Sequence, residues 1–469
     1  MTLLAFFKKK SNRGAAGVFC LATLFAVYAF LYATEEKHNY NLTPSFHQSI
    51  DKKKVQSWLN KFEELKWFST AQSSKAPYLE MPSQIAFDQP IASFDRVWLT
   101  DKTLEVILDG KYEDYLEFIS LQTKENRLSW IQFQDLQAQG RMLIAGHPKL
   151  NSTQMRKILE FAIVLGEIGH TETARKKAWV YEIVHNDHRE FVEKSLDSHP
   201  EIFPSFASFS TLEKQLLIKL MSIAHFDNVT SLNGAEAVFE QVKQNNIVVK
   251  NPEVFDLALF LYVCQLAGSR GDKCYYSSPI LTTHAIKNSL CLRKSFFILK
   301  DKSPEDAYHY YLKMRANWLG FDPGSPLNRV LTKIAAVISL YTEAEGKVLK
   351  EAFLKLKPEE LTLIVGKFDG FNNSVRSKEL LQIAELLLAI KQNSSLGSTE
   401  KDKLSSSIQI AFSFIARVLN QKKSATELDF SKITQIAVNN PNFLTDGVIE
   451  IDGDGMISIN LVDAQDLQK

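Results

Sequence analysis

The feature that most constrains this chain is an uncharged, mostly apolar stretch of 21 residues at positions 14–34. Basic residues precede it and acidic residues follow it: Lys8, Lys9, Lys10 and Arg13 on one side, Glu35 and Glu36 on the other. At about 1.5 Å of rise per helical residue, the stretch reaches across the roughly 30 Å hydrocarbon core of a bilayer. The sequence therefore predicts a basic tail at 1–13, a single transmembrane helix at 14–34, and the lipid bilayer as a partner.

A cleavable signal peptide also begins with a basic region followed by an apolar one. Here the apolar run exceeds the usual core of about 7–15 residues, and bulky Leu31 stands where cleavage after Ala33 would need a small residue. A retained signal-anchor is therefore the favoured interpretation. The nearest basic cluster predicts a cytoplasmic N-terminus, with the bulk of the chain on the opposite side. Positive charge at Lys52–Lys54, beyond the stretch, leaves the reverse topology open.

Composition is that of a folded protein, with 45% hydrophobic and 23% charged residues among 469. The formal net charge of +1 gives no global electrostatic reason to expect nucleic acid as a partner. Apart from Cys20 in the apolar stretch, the cysteines are Cys264, Cys274 and Cys291, without a CxxC pair. They predict neither a disulfide framework nor a zinc motif. Cys264 and Cys274 can form a bridge in an exported domain, whereas all three would be thiols in the cytosol.

Apolar residues spaced at three and four positions predict a mainly α-helical fold. Residues 35–92 are predicted to hold a juxtamembrane amphipathic helix, marked by apolar residues between Val55 and Trp67, and then an irregular connection that contains three prolines. An all-helical globular domain is predicted at 93–392. No repeat of fixed period occurs in the sequence, so a regular solenoid is not indicated.

Three helix starts carry explicit signals: Ser210 to Glu213 has capping-box spacing, and Asn251-Pro252 and Ser303-Pro304 each place a capping residue before proline. The segment from Pro252 to about Ala267 is apolar on every side and precedes Gly268, which predicts the buried central helix of the domain. A second membrane span is the alternative for this segment. The segment is short for a membrane span and contains two acidic residues, so this alternative is less favoured.

Residues 393–407 are polar and serine-rich, and they predict a linker before a small C-terminal module at 408–469. The module is expected to contain a helix near Ile408–Leu419, a second near Asp429–Val438, and a β-hairpin. Residues 450–457 also resemble part of a calcium-binding EF-hand loop. In that alignment the first ligand position is Glu450 instead of aspartate, and the twelfth is Leu461, which has no side-chain oxygen. The hairpin with a DG turn is therefore the favoured interpretation.

Histidines are concentrated in one part of the chain, and neutral imidazole with carboxylate is a common ligand set for hydrolytic metals. Five of the ten fall between positions 170 and 225, with another downstream: His170, His185, His188, His199, His225 and His284. The alternative is that they are scattered residues of helix surfaces and helix ends, satisfied by local hydrogen bonds.

The segments Gly169-His170-Thr171 and Ala224-His225-Phe226-Asp227 resemble the HD superfamily of metal-dependent phosphohydrolases over about 120 residues. In that all-helical family the ligands are a histidine that opens one helix, a later adjacent His-Asp pair and a distant aspartate. The resemblance implies His170, His225 and Asp227 as metal ligands, with Asp256 or His284 completing the set. Manganese, iron or zinc would then activate water against a phosphate ester. Phe226 separates His225 from Asp227, which departs from the contiguous family pair.

The chain contains no GxSxG, GxxxxGK[ST] or GxGxxG motif, so it identifies no catalytic residue of those classes and no nucleotide cofactor. Two hypotheses follow. The first is a membrane-anchored helical interaction or scaffold protein of a membrane or envelope assembly, with protein partners and no cofactor expected. The alternative is a membrane-tethered, HD-like phosphohydrolase acting on a nucleotide or another phosphoester. Whether the chain is an enzyme at all stays open at this point.

Overall fold

The computed structural model describes residues 50–75, 79–185, 188–224, 236–371 and 374–421, and the C-terminal segments 428–430, 432–434, 437, 441, 443–452 and 455–460. The predicted transmembrane helix at 14–34 lies outside these residues. In the part of the chain that is described, no helix combines the length and the apolar character needed to cross a membrane.

The described chain is mainly α-helical, as the periodicity predicts. In chain order its α-helices are α1 (Lys52–Leu59), α2 (Pro82–Phe87), α3 (Ala92–Asp109), α4 (Tyr112–Phe118), α5 (Trp130–Ala145), α6 (Ser152–Ile168), α7 (Glu172–Val180), α8 (His188–Ser198), α9 (Thr211–Ala224), α10 (Glu236–Gln244), α11 (Ile247–Lys250), α12 (Pro252–Gly268), α13 (Thr283–Ile298), α14 (Pro304–Trp318), α15 (Pro326–Val337), α16 (Glu343–Phe353), α17 (Pro358–Phe368), α18 (Ser374–Lys391), α19 (Glu400–Gln421) and α20 (Phe443–Asp446). Short 3₁₀ helices occur at Glu63–Thr70, Pro200–Ile202, Pro204–Ser208 and Ser394–Leu396, and two strands, β1 (Val448–Ile451) and β2 (Ile457–Asn460), complete the fold.

The chain divides into two compact units. Of the described residues, unit 1 contains 50–224 and 247–293, and unit 2 contains 236–246 and 294–460. Each unit has its own set of packed helices, so the two are described separately below.

Unit 1 is built around α12, which confirms the predicted buried central helix. Its buried residues cover most of the helix circumference and include Phe255, Leu257, Leu261 and Cys264. Helices α3, α5, α9 and α11 pack against it. Other helices cover most faces of α12 and one stripe is only partly buried, so its apolar composition is largely explained by burial within the protein.

Two glycines allow helices to approach closely at this centre. A Cβ on Gly268 would lie 2.0 Å from Thr100 Oγ1 and 2.6 Å from the Thr100 backbone nitrogen, on α3. A Cβ on Gly140 of α5 would lie 2.8 Å from the Phe260 ring of α12. Real Cβ contacts do not occur at such distances, so both helix crossings depend on the missing side chain.

The segment before α3 is more ordered than the sequence predicts. Residues between Val55 and Trp67 do not form one helix, because α1 ends at Leu59 and a 3₁₀ helix follows at Glu63–Thr70. The proline-rich connection holds the short helix α2, which begins at Pro82, where the missing amide hydrogen of proline is tolerated. Val55, Leu65 and Phe68 are fully buried. The packed core therefore begins well before position 93.

Predicted helix starts agree with the caps that form. The Ser210 amide donates to Glu213 Oε2 at 2.6 Å, and the Ser303 hydroxyl accepts from the Asp306 amide at 3.1 Å. Asn251 precedes α12 as predicted, but its side chain makes no capping hydrogen bond. The three local signals therefore located the helix starts correctly, and two of them also identified the capping contact.

Unit 2 contains a buried ion pair at its centre. Lys333 of α15 and Glu236 of α10 are 1% and 3% exposed and form a direct salt bridge. Lys333 also donates to the Gly370 carbonyl. Burial lowers the pKa of Lys333, whereas Glu236 opposes that shift. Loss of either charged partner would leave the other buried without its counter-ion, which is strongly destabilising.

The serine-rich segment predicted as a linker is helical over most of its length. Helix α19 begins at Glu400, not near Ile408, so residues 400–407 are helical where the sequence predicted a linker. The Thr399 hydroxyl accepts from the Asp402 amide at 3.1 Å and thereby caps the new start. Ser407 is buried and its hydroxyl donates to the Lys403 carbonyl, which lets a polar residue sit inside the helix.

The predicted C-terminal hairpin is confirmed. Strands β1 and β2 are antiparallel, with Ile449 opposite Ile459 and Ile451 opposite Ile457. The Met456 amide donates to Asp452 Oδ1 at 2.9 Å at the turn. Gly455 has φ of +84°, a conformation that glycine adopts without strain. The hairpin explains the residues that resemble a calcium loop.

A polar face of α18 holds the extended segment 428–430 in unit 2. Glu379 Oε1 accepts from the Leu428 amide at 3.0 Å, and Gln382 Oε1 accepts from the Phe430 amide at 3.2 Å. One turn further along, Glu385 is buried beside Asp429. Burial and the neighbouring carboxylate raise the pKa of Glu385 to about 8. Glu385 therefore carries its proton in the folded protein at neutral pH.

Replacing Gly268 tests the close crossing of α12 and α3. We expect Gly268→Ala to lower the free energy of unfolding by about 1–3 kcal/mol, because the added methyl collides with backbone atoms. Gly366→Ala is the matched control: this helical glycine has nothing within 4 Å of a built Cβ. It should gain about 0.5–1 kcal/mol from helix propensity. Urea unfolding followed by circular dichroism measures both, and equal effects would contradict the packing argument.

The raised pKa of Glu385 predicts a pH dependence of stability. Between the unfolded value of 4.5 and the folded value of about 8, the folded state holds a proton that the unfolded state releases. Stability therefore falls as pH rises through this window, with a contribution of up to about 1.4 kcal/mol per pH unit.

Glu385→Gln should remove this part of the slope, whereas Glu359→Gln, at an exposed position on α17, should leave it intact. Urea unfolding at intervals from pH 5 to pH 8 measures the difference. Identical slopes in both variants would show that Glu385 is ionised in the folded state.

Candidate functional site

A cleft of about 160 Å³ opens in unit 1 at the N-terminal end of α12. Helices α5, α6, α9 and α12 and the turn after α5 supply its walls. The lining is mostly apolar and consists of Met142, Leu143, Gly146, Pro148, Met155, Leu216, Val254 and Leu257, with His147, Glu253 and Asp256 as its polar members. The cleft thus combines an apolar floor with two carboxylates from the first turns of one helix.

The two carboxylates differ in their partners. Asp256 accepts from Arg293 Nε at 2.6 Å through Oδ1 and from Arg293 Nη2 at 2.7 Å through Oδ2. This bidentate geometry occupies both oxygens and fixes the carboxylate plane. Glu253 lies one turn earlier and is exposed. The charge of Asp256 is balanced by Arg293, so the cleft retains the negative charge of Glu253.

His147 is held in one tautomer by the turn that carries it. Its Nδ1 accepts from the backbone amides of Lys149 at 3.3 Å and Leu150 at 3.1 Å. A ring nitrogen that accepts carries no hydrogen, so the neutral ring has its hydrogen on Nε2. The Ala-Gly-His-Pro turn therefore presents a hydrogen-bond donor beside the apolar wall.

A second polar cluster surrounds His170, which lies in the turn between α6 and α7. Its ring stacks on that of His188, the first residue of α8, with centroids 3.9 Å apart. Gly169 permits this approach, because a Cβ there would lie 2.4 Å from the His188 carbonyl oxygen. Glu167 Oε2 accepts from Arg96 Nη2 at 2.6 Å and is 4.0 Å from His170 Nε2.

The electrostatics of this cluster favour a neutral His170. Burial lowers the pKa of His170; Glu167 opposes this shift, and Arg96 and Arg189 add to it. Burial alone would raise the pKa of Glu167, but Arg96 holds it below its usual value. The arrangement is a charged Arg96–Glu167 pair beside two stacked imidazoles.

The residues proposed as metal ligands occupy different positions in the described structure. His170 lies in the cluster above, Asp256 lines the cleft, and His284 is in the first turn of α13. His225 and Asp227 lie outside the described residues, so their role stays a prediction. Within the described ranges, no group of three or more His, Cys, Asp or Glu residues is arranged to hold a metal ion.

The cysteines contribute to the core of unit 1. Cys264, Cys274 and Cys291 are buried, and none of them forms a disulfide among the described residues. Burial raises the pKa of the Cys274 thiol to about 11 and that of Cys264 further. Both are therefore protonated at neutral pH and are poor nucleophiles.

Sequence reasoning did not identify most of the cleft. Met142 and His147 follow no catalytic motif, and Glu253 is one of the two acidic residues within the apolar segment that begins at Pro252. The available signal was the Ala-Gly-His-Pro turn at 145–148, which ends α5 and directs the chain back toward α12. A turn signal alone does not indicate which helices meet beside it.

Comparison with known proteins gives one match. No curated protein and no solved structure matches the chain. A family model described as a family of unknown function, DUF6829, matches residues 50–449. This region covers most of the chain and leaves the apolar stretch at 14–34 outside the match. The chain therefore belongs to the family of unknown function DUF6829.

Proposed function

We propose that this protein is anchored in a membrane through residues 14–34 and acts by binding another protein at the cleft beside α12. The anchor rests on the length and the uncharged composition of that stretch. The predicted orientation, with a cytoplasmic N-terminus and the bulk of the chain on the opposite side, belongs to the same proposal. The binding role rests on the size and lining of the cleft.

Cleft size is the observation that carries the binding role. At about 160 Å³ it is smaller than the roughly 300–1,000 Å³ pockets that enclose drug-sized ligands. Its volume and apolar walls suit one or two hydrophobic side chains of a partner. Glu253 at the rim favours a basic group next to those side chains. We therefore infer a protein segment with a hydrophobic anchor residue and a neighbouring lysine or arginine.

Met142 is the element of the cleft best placed to meet such a partner. It is 67% exposed at the end of α5, while Leu257 below it is buried. Flexible methionine side chains adapt to irregular apolar surfaces and are common where proteins bind varied partners. Partner binding would cover the exposed part of this side chain and exclude water from the cleft.

The HD-like phosphohydrolase remains the competing proposal. Its support is the resemblance around His170 and around His225 and Asp227. Against it, both oxygens of Asp256 are engaged by Arg293. A working metal site would have to draw on His225 and Asp227, which the structure does not describe.

Met142→Glu tests the proposed partner site. The chain is recovered from its native membranes in mild detergent, and associated proteins are quantified by mass spectrometry. We expect at least one specific partner to be lost by about tenfold or more, because a charge is forced into an apolar contact. Ile131→Glu is the control, since Ile131 is 72% exposed on the same helix outside the cleft. Equal recovery from both variants would contradict the site.

Metal analysis of the full chain, purified without chelator, tests the competing proposal. If the protein acts by binding alone, we expect no stoichiometric manganese, iron or zinc, and no hydrolysis of a phosphodiester such as bis(p-nitrophenyl) phosphate. Near-stoichiometric metal that disappears in the double variant His225→Ala, Asp227→Ala would instead establish the phosphohydrolase. Circular dichroism of the same double variant is the control, because it verifies that metal is not lost through unfolding.

A further inference from the structure

One surface of unit 1 presents apolar side chains to solvent with no function assigned above. Helix α7 exposes Arg175, Lys176, Trp179 and Val180, whereas Ala174 and Ala178 are buried on its other side. The exposed residues follow the helical spacing of three and four. Trp179 is 83% exposed and Val180 is 66% exposed. Val184, just beyond the helix, is 81% exposed. We call these residues, Arg175, Lys176, Trp179, Val180 and Val184, the α7 surface.

The end of the α7 surface is held in a defined conformation. The Ile183 amide donates to the Ala178 carbonyl at 2.8 Å, and Glu182 adopts a left-handed φ of +52°. The left-handed residue at this position of a helix C-terminus is usually glycine, so the surrounding contacts must hold Glu182 in that conformation. Lys194 of α8 donates to the Val184 carbonyl. These contacts fix the backbone at Val184, so its side chain is exposed because of the fold.

Helix α7, which carries the α7 surface, packs through other residues against residues 67–71, close to the start of the described chain. The Thr173 amide donates to Thr70 Oγ1 at 3.0 Å, and Ala71 forms a β-bridge with Thr171. Lys177 lies over the Trp67 ring at 5.0 Å from the centroid. Only residues 35–49 separate the predicted span from Ile50, a reach of about 50 Å even when extended.

We propose that the α7 surface rests on the phospholipid bilayer to which the chain is anchored. This inference depends on the proposed anchor at 14–34. Tryptophan is favoured at the membrane interface, where its ring is apolar and its N–H reaches polar groups. Val180 and Val184 would enter the same layer, while Arg175 and Lys176, one turn earlier, would contact lipid phosphates.

The charge balance explains why the apolar residues, and not the basic ones, supply most of the affinity for the bilayer. Lys176 pairs with Glu172 at 2.9 Å, and Glu182 adds an exposed negative charge at the other end of the surface. The local charge is therefore close to neutral, and attraction to anionic lipid alone would be weak. Insertion of Trp179 and the two valines supplies the main affinity, while the tether keeps the bilayer within reach.

The test uses the full chain with Cys20→Ser, because the other cysteines are buried. Val184→Cys carries an environment-sensitive nitrobenzoxadiazole label, and Ile131→Cys carries the same label as the matched exposed control in unit 1. Both proteins are reconstituted in vesicles of phosphatidylcholine and phosphatidylglycerol. Quenching is measured with lipids that carry a nitroxide near the head group, and with iodide in water.

We expect the label at position 184 to be quenched by the nitroxide lipid at least about twofold more than the label at 131, and less by iodide. Trp179→Ser with Val180→Ser should reduce the lipid quenching at 184 toward that of the control. Equal quenching at 184 and 131 in vesicle-bound protein would overturn the proposal and leave the α7 surface for a protein partner.

Flotation separates this result from failure of the anchor. Intact chain that floats with the vesicles, together with loss of flotation when residues 14–34 are deleted, supports the anchor independently of the label. If the intact chain does not float, both the anchor and the bilayer contact of the α7 surface are overturned. If the intact chain floats and the labels at positions 184 and 131 are quenched equally, only the bilayer contact of the α7 surface is overturned.

Discussion

The close crossing of α12 and α3 is the contact on which the organisation of unit 1 depends. Gly268 brings the two backbones to a separation that no side chain would permit, and Gly140 of α5 leaves room for the Phe260 ring of α12. With its C-terminal half fixed in this way, α12 can be covered on most sides by other helices. The helices around its N-terminal end leave a gap there, and that gap is the cleft with Glu253 and Asp256 at its edge.

Charged groups in the cleft and in the His170 cluster are largely neutralised within unit 1. Arg293 holds Asp256, and Arg96 holds Glu167. Side chains fixed by bidentate or short ion pairs are poor candidates for ligands that must rearrange around a metal. They are well suited to keep an apolar surface rigid, which lowers the entropic cost when a partner binds. This physical distinction is the reason that we propose recognition rather than hydrolysis.

Local signals predicted the helices better than they predicted their packing. Capping at Ser210 and Ser303, and the apolar character of the segment after Pro252, depend on neighbours within a few residues, so the sequence alone identifies them. The serine-rich segment was misread because Thr399 and Asp402 start a helix whose buried side only the rest of unit 2 can cover. Of the cleft, Asp256 was named as a candidate ligand, but its pairing with Arg293, 37 positions away, has no local signal.

By itself, the sequence determined that the chain is mainly helical, that 14–34 is long and apolar enough to span a bilayer, that α12 is buried, and that the C-terminus carries a hairpin. Those properties follow from composition and from periodicity over short distances. Only the tertiary structure decided that the described candidate ligands occupy separate places, that Lys333 and Glu236 pair in the core of unit 2, and that Trp179 stays in solvent. Each of these depends on which distant residues cover a side chain, because burial and charge pairing are properties of the packed surface rather than of local sequence.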